Sequence, residues 1–191
     1  MTRETLARIE AHIKTLEGNL THVKRVFLLA KLIAEKERIP YDEDILAFVA
    51  YFHDIAAYPY LTFVAPKGFD HALESSKMVS GLAKEYGYAD AQIEVIVEAV
   101  KYHNKAGMGT ENETKLLRNA DGVDYLGYMA AARDFSRFPN DFGTVLALLK
   151  RRKQEFFPIV DLPYAKELAA PRVEELEHFI RRFEEECYGI F

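Results

Sequence analysis

Apolar residues recur at helical spacing in one segment after another. From about Thr21 to Glu37, His22, Val26, Leu29 and Ile33 fall on one face, so a histidine begins an inward stripe. The run DEDILAFVAYFHDIAAY, from Asp42 to about Tyr58, is apolar nearly all round and predicts a helix buried on most sides, with His53 and Asp54 inside it. The next stripe is His71, Ser75, Met78 and Leu82, closed by the turn-like Tyr86-Gly87-Tyr88. A further helix, roughly Asp90 to His103 with Asp90 as its N-cap, aligns Ile93, Ile96, Val100 and His103. From about Glu113 onward, Leu117, Asp121, Asp124 and Tyr128 share a side, so here the inward polar group is a carboxylate. An N-terminal helix ending near Gly18 precedes these segments, and two or three amphipathic helices follow, punctuated by Pro139, Pro158, Pro163 and Pro171.

The expected architecture is therefore all-α, a single-domain helical bundle over residues 1–191, with helices about 140–191 completing it. Thirty acidic against 25 basic side chains give a formal charge of -5, which argues against a nucleic-acid polymer or an anionic membrane as partner. The single cysteine, Cys187, excludes an intrachain disulfide and cysteine-based zinc sites, and it fits a cytoplasmic protein. The stretch MTRETLARIEAHIKTLEG is charged throughout, unlike a secretory signal, and no apolar run reaches membrane-spanning length. The apolar C-terminal helices are compatible with a homodimer.

Four of the six histidines, together with Asp54 and Asp121, occur on apolar faces, where a charged group is costly unless paired or coordinated. A divalent cation compensates such groups, and this nitrogen and oxygen donor set suits manganese, iron, cobalt, nickel, zinc or magnesium. The plainer alternatives are a bare His53–Asp54 hydrogen-bonded pair, and an Asp121 that pairs with Arg118. Asp124 and Glu74 read equally as groups that orient ligand imidazoles or as solvated charges. His12, His178 and the run Lys150-Arg151-Arg152-Lys153 read as surface.

The order His22, His53-Asp54, His71, His103, Asp121, in the contexts THVKRVFLLA, VAYFHDIA, HALESS, VKYHN and NADGVDYLG, resembles the HD-domain superfamily of metal-dependent phosphohydrolases over roughly residues 20 to 130. The resemblance implies that His22, His53, Asp54 and Asp121 hold one divalent ion and that a metal-activated water attacks phosphorus. In two-metal relatives, histidines placed like His71 and His103 hold the second ion and the dyad aspartate bridges; in single-metal relatives they contact phosphate or shuttle protons. Asp54, His71 and His103 are accordingly the candidate catalytic residues, and Lys101, Lys105 and Lys77 the candidate substrate contacts. The expected substrate is a small phosphorylated metabolite or nucleotide. The alternatives are a diiron oxygenase using the same six ligands and a non-catalytic nucleotide-binding module. The segment PYLTFVAPKGFD is expected to border the pocket.

Overall fold

A computed structural model describes residues 3–16, 18–60 and 66–190. Among the described residues there are nine α-helices and no strand: α1 Arg3–Thr15, α2 Leu20–Glu37, α3 Glu43–Phe52, α4 His71–Glu85, α5 Asp90–Tyr102, α6 Asn112–Asp124, α7 Tyr128–Arg137, α8 Phe142–Phe156 and α9 Pro163–Glu186, with short 3-10 turns at Ile55–Tyr60 and Phe157–Ile159.

Helix α3 lies at the centre because its sequence leaves it no polar face, and every residue from Ile45 to Phe52 is buried. Helices α2, α5 and α6 pack around it, α4 lies along α5, and α1 closes the open side of α3. Helix α9 crosses α6 and α2, while α7 and α8 form a smaller satellite core with Leu149 and Leu176 at its centre. Phe48, Phe52, Leu46, Ile96, Leu116 and Leu117 are fully enclosed in the main core.

Helix starts are specified by short polar side chains. Asn19 accepts from the His22 N–H at 3.1 Å, Asp42 from Asp44 at 2.8 Å, and Asp70 from Leu73 at 3.0 Å. Each such cap contributes about 1 kcal/mol. Asp70 directly precedes His71 and Asn19 accepts the backbone N–H of His22, so two of these caps position the helix starts that carry site histidines.

Several sequence expectations need correction. Helix α3 stops at Phe52, His53 is its C-cap, and a 3-10 turn carries the chain on through Ile55–Tyr60. The dyad thus sits at the end of a buried helix, where backbone direction changes. Ala89, not Asp90, is the cap of α5, and Gln92 Oε1 accepts the Ala89 N–H instead. Met78 is 49% exposed and Tyr128 is 55% exposed, so neither continues its apolar stripe. Tyr128 already belongs to α7, because Gly127 (φ 80°) turns the chain after α6. Pro171 lies inside α9, whereas Pro163 begins it. In the segment PYLTFVAPKGFD, residues 61–65 lie outside the described residues.

Candidate metal centre

Three elements deliver the inner group of donors: α2 carries His22 near its start, the end of α3 carries His53 and Asp54, and α6 carries Asp121. His22 Nε2 lies 3.4 Å from Asp121 Oδ1 and 3.9 Å from Asp54 Oδ2, and His53 Nε2 lies 3.4 and 3.5 Å from the same two oxygens. An outer group shares Asp54. Its other oxygen, Oδ1, lies 3.4 Å from His71 Nε2 and 3.6 Å from His103 Nε2, and the two imidazole nitrogens are 3.3 Å apart. One carboxylate therefore turns an oxygen to each group.

The opposite edges of the rings are anchored. Nδ1 of His53 lies 2.9 Å from the Ala50 carbonyl, Nδ1 of His103 lies 2.7 Å from that of Val100, and Nδ1 of His22 lies 2.7 Å from Asp124 Oδ2. Carbonyl and carboxylate oxygens only accept, so Nδ1 carries the hydrogen in all three rings and Nε2 presents a lone pair to the cluster. Partners of this kind fix the orientation and raise the basicity of metal-binding imidazoles. Asp124 is in turn held by Arg25, whose Nε and Nη2 donate at 2.7 and 3.0 Å.

Nε2 of His22 and His53 and Oδ1 of Asp54 and Asp121 are buried without a hydrogen-bond partner. Orphaned buried polar atoms are rare and costly, and here they converge. Metal bonds of about 2.0–2.2 Å place neighbouring nitrogen and oxygen ligands roughly 3 to 3.5 Å apart, which fits most of the spacings in both groups, the His22–Asp54 distance of 3.9 Å being the widest. His22, His53 and Asp54; His53, His103 and Asp121; and Asp54, His71 and His103 each form a triad able to hold an ion.

The electrostatics agree. Burial lowers the pKa of His22, and its hydrogen bond to Asp124 only partly offsets this, so the ring is a neutral ligand. Burial also opposes a charged His53, yet the facing Asp54 and Asp121 prevail and raise its pKa to about 9. Burial pushes Asp54 up, but His53, His103 and His71 hold it well below the usual carboxylate range. Asp121 is held down by His53 and His22 in the same way, against burial. The cluster thus draws in positive charge, a proton or a metal ion.

The structure brings all six predicted donors together. Arg118 does not pair with Asp121; it donates to the Met108 carbonyl and to Asp161. Asp124 is buried and orients His22, whereas Glu74 pairs with Lys77 at 2.6 Å on the exposed side of α4. Of the three candidate lysines, Lys105 reaches Asp70, the cap beside His71, at 3.0 Å. Lys101 lies over the Tyr102 ring, and no contact ties Lys77 to the cluster. His12 contacts the Tyr86 hydroxyl and packs on Phe52.

Sequence reasoning missed three participants. Tyr125 packs its ring against His22 and places its hydroxyl 3.4 Å from Asp54 Oδ2. It follows Asp124 directly in NADGVDYLG, which was the available signal. Arg133 lies 3.9 Å over that ring, and nothing in the α7 pattern marks it as inward. Arg152 departs from the solvated face expected for its basic run: it is 4% exposed and bonds Asp134 through two nitrogens. Its position at helical spacing with Val145, Leu149 and Phe156 could have shown this.

An all-helical bundle with a buried histidine and aspartate cluster open on one side has the donor set of a metal-binding protein. The HD domain family model matches residues 19–126, and the chain belongs to that family. Among solved structures, a predicted HD superfamily hydrolase from an uncultured Thermotogales bacterium is 25% identical, with a TM-score of 0.62 over 97% of this chain and 92% of that one. Bacillus subtilis YpgQ in complex with ADP is 21% identical, with a TM-score of 0.60 over 97% and 100%. An HD-superfamily hydrolase from Bacillus thuringiensis is 18% identical, with a TM-score of 0.60 over 97% and 95%. No curated protein matches the chain significantly. Family and site together support a metal-dependent hydrolase. Among the described residues, no helix is long and apolar enough to cross a membrane.

Proposed function

We propose that the protein is a phosphohydrolase of small phosphorylated metabolites or nucleotides. The observation that carries this reading is the convergence of three orphaned buried atoms, His22 Nε2, His53 Nε2 and Asp121 Oδ1, on one point beside Asp54 Oδ2, with the orphaned Oδ1 of Asp54 turned toward His71 at the solvent-reaching edge. His22, His53, Asp54 and Asp121 would hold a divalent cation, which when bound would lower the pKa of water and withdraw charge from phosphoryl oxygens. The protein's own groups do the remaining work. Asp54, fixed between both histidine pairs, orients the reacting centre, and the Tyr125 hydroxyl donates toward its Oδ2. His71, with its side chain 34% exposed, is the residue that meets substrate, and His103 behind it completes the proton path. Lys105 and Lys101 are proposed as phosphate contacts, with Lys105 the better placed through Asp70.

Nucleotides are favoured within this class because YpgQ, which shares the fold, is in complex with ADP. A second reading, two ions in one centre, is supported by the division of Asp54's oxygens between two ligand groups. The test combines elemental analysis of protein purified without chelators with phosphate release from a panel of nucleotides and phosphomonoesters, for wild type, His53→Ala and His71→Ala. Metal-dependent release, absent in His53→Ala, is expected. Bound iron with oxygen consumption in place of phosphate release would replace the proposal with an oxygenase. Bound metal and tight nucleotide binding without turnover would replace it with a binding module.

A further inference from the structure

We propose that Tyr125 is a positioning residue for Asp54: its hydroxyl fixes which oxygen of that carboxylate faces which pair of histidines, and α7 and α8 hold it in place. This role rests on the reading of the cluster as a metal centre, and not on the reaction performed there.

The hydroxyl of Tyr125 lies 3.4 Å from Asp54 Oδ2, the oxygen that faces His22 and His53. A phenol is neutral near physiological pH and a carboxylate oxygen only accepts, so Tyr125 donates. The other oxygen, Oδ1, faces His71 and His103 and is buried with no hydrogen-bond partner. A carboxylate turns readily about its last torsion, and a donor on one oxygen restrains that turn. With Oδ2 held, Oδ1 stays toward the outer pair of rings. With the hydroxyl removed, both oxygens are free to swing onto the inner pair.

A donor restrains its partner only if it is itself fixed. The Tyr125 ring stacks on Phe156 with centroids 4.1 Å apart and planes within 4° of parallel, and the Arg133 guanidinium lies 3.9 Å from the Tyr125 centroid. Two groups this close over one ring cannot share a face, so the ring is held between them. Against His22 it packs at 5.3 Å and 74°, edge to face. Arg152, paired with Asp134 at 2.8 Å, lies 4.9 Å from the Tyr125 centroid and 5.8 Å from that of Phe156. Arg133 belongs to α7, and Arg152 and Phe156 to α8, all beyond residues 19–126 that match the family. The satellite helices thus reach the metal centre through one ring.

The test uses cobalt and needs no turnover. Full-length protein stripped with chelator is titrated with Co²⁺ against a fluorescent chelator, and the visible absorption of the bound ion is recorded, for wild type, Tyr125→Phe and Phe156→Leu. Far-UV circular dichroism is the folding control. Tyr125→Phe keeps the ring and loses only the donor; cobalt affinity is expected to fall about tenfold, the low end for a lost orienting partner because the bond is long, with an altered absorption spectrum. Phe156→Leu keeps the donor and loses the stack, and a loss of about threefold with the same direction of spectral change is expected. Wild-type affinity in Tyr125→Phe, or weaker binding with a wild-type spectrum, would overturn the positioning role. Wild-type affinity and spectrum in Phe156→Leu would overturn the part given to α8. If Phe156→Leu does not fold, Phe156→Met takes its place, with the same outcomes. Wild type that takes up no cobalt would overturn the metal centre itself, and this role with it.

Discussion

The inner and outer halves of the cluster share Asp54 yet differ in how they are held. In the inner half His22, His53 and Asp121 are at most 3% exposed, and both imidazoles have anchored Nδ1 atoms. In the outer half His103 is equally closed and anchored to Val100, but His71 opens α4 and keeps its side chain 34% exposed. His71 is the first residue of α4, next to its Asp70 cap, whereas His53 and His103 are the C-caps of α3 and α5 and are fully closed. On the proposed function, the inner half would retain an ion and the outer half would meet the substrate.

His53→Ala should break the comparison most completely. It removes a donor facing both inner carboxylates, and metal affinity should fall by more than the roughly 10–100-fold typical of losing an orienting partner. Elemental analysis and phosphate release are the readouts, and retained metal would show that the inner half is not the anchor. His71→Ala should do the opposite: the inner ion stays while turnover falls by about 10²–10⁴, the usual worth of a proton-transfer group. Unchanged turnover would make the open position of His71 incidental.

Asp124→Asn sharpens the contrast from behind the ligand. The amide can no longer hold the Nδ1 hydrogen of His22 and both Arg25 donors, so metal affinity should drop about 10–100-fold with helical content intact. Competition against a fluorescent chelator measures it. Removing the metal from wild type should have the smallest effect, lowering stability by about 2.7 kcal/mol where free metal had stood at about a hundred times its Kd. Denaturant unfolding with and without chelator checks this, and no shift would mean that folding is not linked to the site.

Much of the site was legible because its chemistry is local to helices. His22, His71, His103 and Asp121 each occur where an apolar stripe meets a polar residue, so periodicity alone turned them inward. The reading of 42–58 as one helix failed because apolarity on all sides does not say where a buried helix ends. Arg152 and Arg133 were missed because a buried cation depends on a partner that only folding supplies: Asp134 for Arg152, and Tyr125 with Asp124 for Arg133. Gly122 is similar, since a Cβ there would come within 2.7 Å of Val160, a segment that nothing local identifies as its neighbour.

The sequence by itself determined an all-helical chain, the inward histidines and aspartates, and the family, because helical periodicity and donor chemistry are properties of neighbouring residues. Only the tertiary structure decided which donors meet. His22 and Asp124 are 102 positions apart yet 2.7 Å distant, and Asp54 divides its oxygens between two pairs of rings, three of the four rings coming from other segments. The physical reason is that hydrogen bonds and coordination act over a few ångströms, and packing α2, α3, α4, α5 and α6 into one core is what brings such distances about.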